Sequence, residues 1–267
     1  GRELLGLLCR ELAARGVTLL EADTDGVYFA VPEGWDEAAE RRVVSEVGAL
    51  LPPLVRLEFE GRYAAMLSHE PKNYALLRYD GTLLLRGVAF HSIKFEAFGD
   101  AFLRRAIHCL LMDDIPGVRE AYLTTAEAIA GRTLPTADVV TRARLTKTPQ
   151  QYHAGRSGRR EAHYEALLAG GRTTWRTGES IQLYRAAGGL ALWQAGQPDR
   201  RDYDVAHYLR LLRETYAIRL ARAFTPDDYA TLFGAYNQLS LFAPPIETIR
   251  PCLTPLISAD DPTVHAD

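Results

Sequence analysis

The sequence is short of several things, and each shortage narrows its reading. It has three cysteines, Cys9, Cys109 and Cys252, far apart and odd in number. No disulfide framework follows from them, and the reading is of a reduced, intracellular chain. No Cys/His spacing suggests zinc. No apolar run reaches the ~18 residues of a membrane helix, and no basic-then-apolar start reads as a secretory signal, so the expected location is cytoplasmic. Of 31 basic residues only three are lysine, Lys72, Lys94 and Lys147. The bias towards arginine is read as a genome-composition effect, which makes the surviving lysines candidates for places where a compact ammonium is wanted. The net charge of −3 gives no global basic signature for nucleic acid. The charge is nevertheless uneven. From Thr136 to Gly178 there are eight basic residues, Arg142, Arg144, Lys147, Arg156, Arg159, Arg160, Arg172 and Arg176, against three acidic ones.

What is present is an ordinary globular composition, 47% hydrophobic and 24% charged over 267 residues. The chain starts at Gly1 and enters a helical pattern directly, which reads as a fragment. Leu4, Leu5, Leu8 and Leu12 predict a helix over 2–15 with Gly16 as its stop. Residues 17–22 and 26–31 alternate around an acidic turn and predict a hairpin. Asp36 is placed to cap a helix running to about Leu50. In "VRLEFEGRYAAML", Val55, Leu57 and Phe59 alternate with Arg56, Glu58 and Glu60, so a strand with both glutamates on one face is expected. "PKNYALLRYDGTLLLRG" predicts a hairpin turning at Asp80-Gly81. Beyond Phe98 the pattern is mostly helical: 98–112, 116–130, Glu161–Leu168 and Tyr203–Phe224, with one hairpin in "SIQLYRAAGGLALWQAG". The tail from Ala243 is rich in proline.

Asp23 and Asp25 stand two residues apart in "DTDG" and admit three readings. Asp and Gly at those positions suit a plain type I turn. Glu21-x-Asp23-x-Asp25-Gly26 imitates the start of a calcium-binding EF-hand, but Pro32 stands where its bidentate Glu is needed and the flanks are strand-like. The third reading is a catalytic centre in which carboxylates share divalent ions, with Glu58 and Glu60 a second same-face pair. Within the stretch itself all three stay open.

The order DTDG, LEFEG, KNYAL, then DG and RG resembles the C-terminal part of a family B DNA polymerase. "LTKTPQQY" resembles the segment that leads into that family's thumb. "RREAHYEALLAGG" and "YDVAHYLRLLRETYAIRLARAF" resemble the thumb helices. The resemblance covers residues 1 to about 235. It implies an α+β fold: an antiparallel palm-type sheet with packed helices over 1–100, a mainly helical thumb over 101–242, and a tail over 243–267. It implies DNA-directed nucleotidyl transfer from a dNTP to a primer 3′-hydroxyl, with two Mg²⁺ ions. Asp25 would be the metal ligand with Asp23 supporting it, and Glu60, with Glu58 beside it, would lie near the metals. Lys72 and Tyr74 of the Lys-x-Tyr motif would meet primer-template DNA in the minor groove, with Arg86, Arg142, Arg144 and Lys147 as further DNA contacts. The family's first catalytic aspartate and its fingers lysine are absent, so an N-terminal half, on the same chain or another, is an implied partner. Alone, the fragment is expected to be inactive. Two positions depart from the family pattern: Glu21-Ala22 stands where Tyr-Gly is common, and Gly26 where Ser is common. A non-catalytic DNA-binding or assembly subunit on the same fold is the alternative that these departures allow.

Overall fold

A computed structural model describes residues 2–23, 26–92, 94–234 and 245–252. The described residues have an α+β fold, with helices packed around three small antiparallel sheets. No described helix is long and apolar enough to cross a membrane.

The chain opens with α1 (Arg2–Ala14), then β1 (Thr18–Asp23) and β2 (Gly26–Ala30) as an antiparallel hairpin, then α2 (Glu37–Gly48). Asp36 caps α2 as expected, its Oδ1 accepting from the Ala39 N–H at 2.8 Å. These elements close on a small core of Cys9, Leu12, Val17, Leu19, Val43 and Val47.

The glutamate segment is a correction. Residues 55–60 form no strand; β3 lies further on, at Ala65–Glu70. The alternation is real, since Leu57 and Phe59 are half-buried while Glu58 and Glu60 are exposed. A strand, however, needs a partner edge as well as a period of two. Here the extended segment is pinned to α2 by side chains instead. The Arg41 guanidinium lies 4.4 Å from the Phe59 ring centroid, and Arg62 donates to both Glu40 oxygens at 2.8 and 2.9 Å.

β3 pairs with β4 (Asn73–Leu77), which pairs with β5 (Leu83–Arg86) across the expected Asp80-Gly81 turn. This sheet packs on α3 (Ala97–Leu111), which pairs with α4 (Ile115–Ala130), capped by Asp114. The main core joins them: Leu67, Ala75 and Phe90 meet Phe98, Phe102, Ile107, Val118 and Ile129. It therefore draws on residues from both sides of position 100, which falls inside α3.

The second half is less purely helical than expected. β6 (Thr141–Arg144) joins the predicted hairpin, β7 (Ser180–Ala186) and β8 (Gly189–Trp193), in a three-stranded sheet. Between β6 and β7 lie α5 (Pro149–Gly155) and α6 (Ala162–Ala169). One sheet face gives Ile181 and Leu183 to a separate core with Leu145, Tyr152, Tyr164, Leu167 and Trp175. The other face gives Tyr184, Ala191 and Trp193 to the main core. The helix expected over 203–224 is three pieces: α7 (Val205–Leu211), a π-helical turn over Leu212–Tyr216, and a 3₁₀ stretch over Ala217–Ala223. The wide turn brings the Tyr216 ring against Gly99 and its hydroxyl to Glu96. α8 (Pro226–Phe233), capped by Thr225, follows.

Candidate active site and nucleic-acid interface

Two hairpins meet face to face. In the β1–β2 hairpin Glu21 and Tyr28 are register partners, after a bulge that sets Leu20 out of register. Cross-strand partners project to the same side of a sheet. In the next sheet Ser68, Tyr74 and Arg86 form one such ladder. The two sets interlock. Glu21 is 2% exposed, and its carboxylate accepts from Ser68 Oγ at 2.7 Å and from the Lys72 backbone N–H at 2.8 Å. The Tyr28 and Tyr74 hydroxyls are 3.2 Å apart and their ring centroids 5.0 Å. Burial, reinforced by that hydrogen bond, pushes the Tyr28 phenol well above its ordinary range, and Glu60 nearby adds to the shift.

Lys72 occupies the left-handed region, at φ 65°. It follows Pro71 in the two-residue turn between Glu70 and Asn73. Proline first and a positive φ second is the pattern of a type II turn, where Gly or Asn is usual. The surroundings hold it there. The Asn73 amide donates to the Pro71 carbonyl at 3.0 Å, and its Oδ1 accepts from the Ala89 N–H at 2.9 Å. Gly87, at φ 82°, lets the end of β5 approach so closely that a Cβ there would overlap the Lys72 carbonyl and the Asn73 side chain.

Of the expected metal ligands, Asp25 lies outside the described residues. Asp23 ends β1, paired with Gly26 across the turn. Glu58 and Glu60 are both exposed. Among the described residues no three Asp, Glu, His or Cys side chains gather to hold a metal. The carboxylates of this region offer hard oxygen ligands only, which is the chemistry of Mg²⁺ rather than zinc.

The basic stretch separates into two kinds of cation. Arg142 and Arg144 lie on the edge strand β6, exposed, and make no ion pair among the described residues. Arg142 is in register with Gln182, and Gln182 with Trp193. These three, with Arg172 and Gln194, line a groove of about 570 Å³. Three of the others are engaged. Lys147 pairs with Glu161, Arg172 with Glu179, and Arg156 with both Glu165 oxygens at 2.7 Å. The segment around Lys147 is fixed further by the Tyr164 hydroxyl, which accepts from the Thr146 and Lys147 N–H groups at 2.9 and 2.8 Å, and by Trp175, which donates to the Lys147 carbonyl at 2.8 Å.

Sequence reasoning missed Ser68, Asn73, Gly87 and Tyr28, and took Glu21 as a departure from the family pattern or as the first position of a calcium loop. Pro71 before Lys72-Asn73 was the available signal of a tight turn.

Known proteins share part of this chain's sequence and its fold. No family model matches the chain. A DNA polymerase of Pyrococcus horikoshii is 38% identical over 92 residues, 33% of this chain and 7% of that one. A DNA polymerase of Thermococcus kodakarensis is 23% identical over 235 residues, 84% of this chain and 14% of that one. The chain is thus a relative of DNA polymerases. The structure of the family B DNA polymerase from Pyrobaculum calidifontis shares its fold, with a TM-score of 0.61 at 18% identity over 82% of this chain and 28% of that one. The resemblance drawn from the motifs is borne out to this extent: the relatives are DNA polymerases, and the fold is one that a family B DNA polymerase has. The chain spans less than a third of the length of each of these proteins.

Proposed function

We propose that the chain is the C-terminal part of a DNA-directed DNA polymerase, with the end of the palm over 1–100, the thumb over 101–242 and a tail beyond. The observation that carries this is the interlock of the two hairpins. It sets the strand ending in Asp23 beside the turn bearing Lys72. In this reading the strand that leads to the catalytic carboxylates and the turn that carries a minor-groove probe share one seam.

In this reading Asp25, supported by Asp23 and with Glu60 near, would help hold two Mg²⁺ ions, completed by an aspartate from the remainder of the polymerase. Such ions stabilise the charge of a transferring phosphoryl group and activate the primer 3′-hydroxyl. Lys72 donates to minor-groove acceptors common to all base pairs, so it senses pair geometry without selecting a sequence. Arg142 and Arg144 bind backbone phosphates. Arg86, in register with Tyr74, continues the Lys-x-Tyr face. Lys147, paired with Glu161, holds the thumb segment in shape and contributes less charge to DNA. The buried Glu21 turns towards Ser68 and Lys72, so the departure at position 21 is accommodated within the seam of the two hairpins.

The test uses primer-template DNA. This chain alone binds it without extending it. Joined to the N-terminal half of a family B polymerase, it incorporates dNTP, and Asp25→Asn abolishes incorporation while DNA affinity is kept. Full incorporation by the Asp25→Asn enzyme, or extension by the 267-residue chain alone, overturns the assignment.

A further inference from the structure

We propose that Glu21 is the positioning residue of the Lys72 turn, coupling the acidic hairpin to the DNA-contacting lysine. The DNA half of this proposal rests on the reading of Lys72 given above; the positioning half rests on geometry alone.

Three observations meet at Glu21. Its side chain is buried, 2% exposed, between two hairpins. Its two oxygens each take one partner, Ser68 Oγ and the Lys72 N–H. The residue whose N–H it accepts is the one in the left-handed conformation. A non-glycine residue stays there only when its surroundings over-determine it. A backbone N–H donating to a carboxylate is among the stronger hydrogen bonds available for the purpose. Asn73 and Gly87 fix the turn from the β5 side; Glu21 fixes it from the hairpin side. The direction in which the Lys72 side chain leaves the turn is therefore set by the same strand that ends in Asp23. In the proposed enzyme this ties the register of the DNA to the metal-binding turn. It also gives a physical reason for an acidic residue where the family commonly has an aromatic one.

The experiment compares Glu21→Ala, Glu21→Gln, Lys72→Ala and Glu21→Ala/Lys72→Ala in this chain. One readout is amide hydrogen exchange at Lys72. The other is the Kd for a primer-template duplex of fixed sequence. Glu21→Ala should speed exchange at Lys72 about tenfold or more, the scale of a lost hydrogen bond to a charged group. It should weaken DNA binding about fivefold, on the order of 1 kcal/mol by the same conversion. Glu21→Gln should restore both to within about twofold, because its carbonyl oxygen accepts from the Lys72 N–H and its amide donates to Ser68 Oγ. In the double variant Glu21→Ala should add nothing to the effect of Lys72→Ala. Unchanged exchange at Lys72 in Glu21→Ala refutes the positioning role whatever DNA does. Equal damage from Ala and Gln shows that charge, not positioning, is what matters, and refutes it too. Unchanged Kd in Lys72→Ala overturns the DNA reading of that lysine and leaves the exchange result to decide the geometry. Should Glu21→Ala not fold, Ser68→Ala removes one of the two partners, and exchange at Lys72 must then rise by a smaller factor; no rise overturns the coupling.

Discussion

Gly87 and Gly81 offer a matched pair of substitutions. Both stand at φ 82°, but a Cβ on Gly81 meets nothing within 4 Å, whereas on Gly87 it would overlap the Lys72 carbonyl and lie 2.7 Å from Asn73 Cγ. Gly81→Ala therefore measures the left-handed penalty alone, roughly 1 kcal/mol. Gly87→Ala incurs that penalty, pushes the end of β5 off the turn, and loses the hydrogen bond from the Ala89 N–H to Asn73 Oδ1, about 1 kcal/mol. With the displaced backbone included, the total is about 3 kcal/mol. The difference of about 2 kcal/mol is about thirtyfold in an opening equilibrium. Amide exchange at Ala89 measures the local opening, and urea unfolding measures the global effect. The Gly87→Ala protein should also bind primer-template DNA more weakly, since the Lys72 turn moves; Gly81→Ala should not. Equal exchange at Ala89 in the two variants would refute the close-approach argument.

Two further outcomes are expected. Arg142→Ala and Arg144→Ala should each lower the salt dependence of DNA binding by roughly one unit of log–log slope, whereas Lys147→Ala should lower it less, because Glu161 already offsets that charge; an equal loss at Lys147 would return it to the phosphate contacts. Arg156, and after it Tyr152, hold the Glu165 carboxyl down to about 2 from its ordinary 4.5. A depressed acid stabilises the fold above its unfolded pKa, and that stabilisation is lost as pH falls from about 4.5 towards 2. Amide exchange in α5 and α6 should rise on acidification through that window, less steeply in Glu165→Gln; Glu161 and Glu179 are depressed as well, so the difference between the two proteins is the measure.

How far the sequence could be read depended on how local the cause was. The Asp36 cap, the Asp80-Gly81 turn and the α3–α4 pair were legible because each is set by residues within a turn or two. The strand expected over 55–60 was not there, because its period reports an extended backbone and says nothing of a partner edge. β6 was missed for the converse reason: four residues, Thr-Arg-Ala-Arg, become a strand only when β7, nearly forty residues on, lies beside them. Leu212, Tyr216 and Leu220 keep a helical stripe, so the π turn left no mark on the pattern. The order of the motifs pointed to the site proposed here. The role of Glu21 was hidden because Ser68 and Lys72 follow 47 and 51 residues later.

The β6–β8 sheet, with one face in each of two cores, has a consequence for heat stress. The α5–α6 side is the smaller of the two cores it joins, and small cores have the least apolar burial to lose. If α5 and α6 lift away first, the sheet stays seated on the main core with Ile181, Leu183, Leu190 and Leu192 uncovered. Exposed apolar sheet surface of this kind, with β6 at an open edge, is a template for association. The chain should then aggregate through its β6–β8 sheet while its hairpins and long helices are still folded, and a nucleic acid lying along Arg142 and Arg144 would protect it.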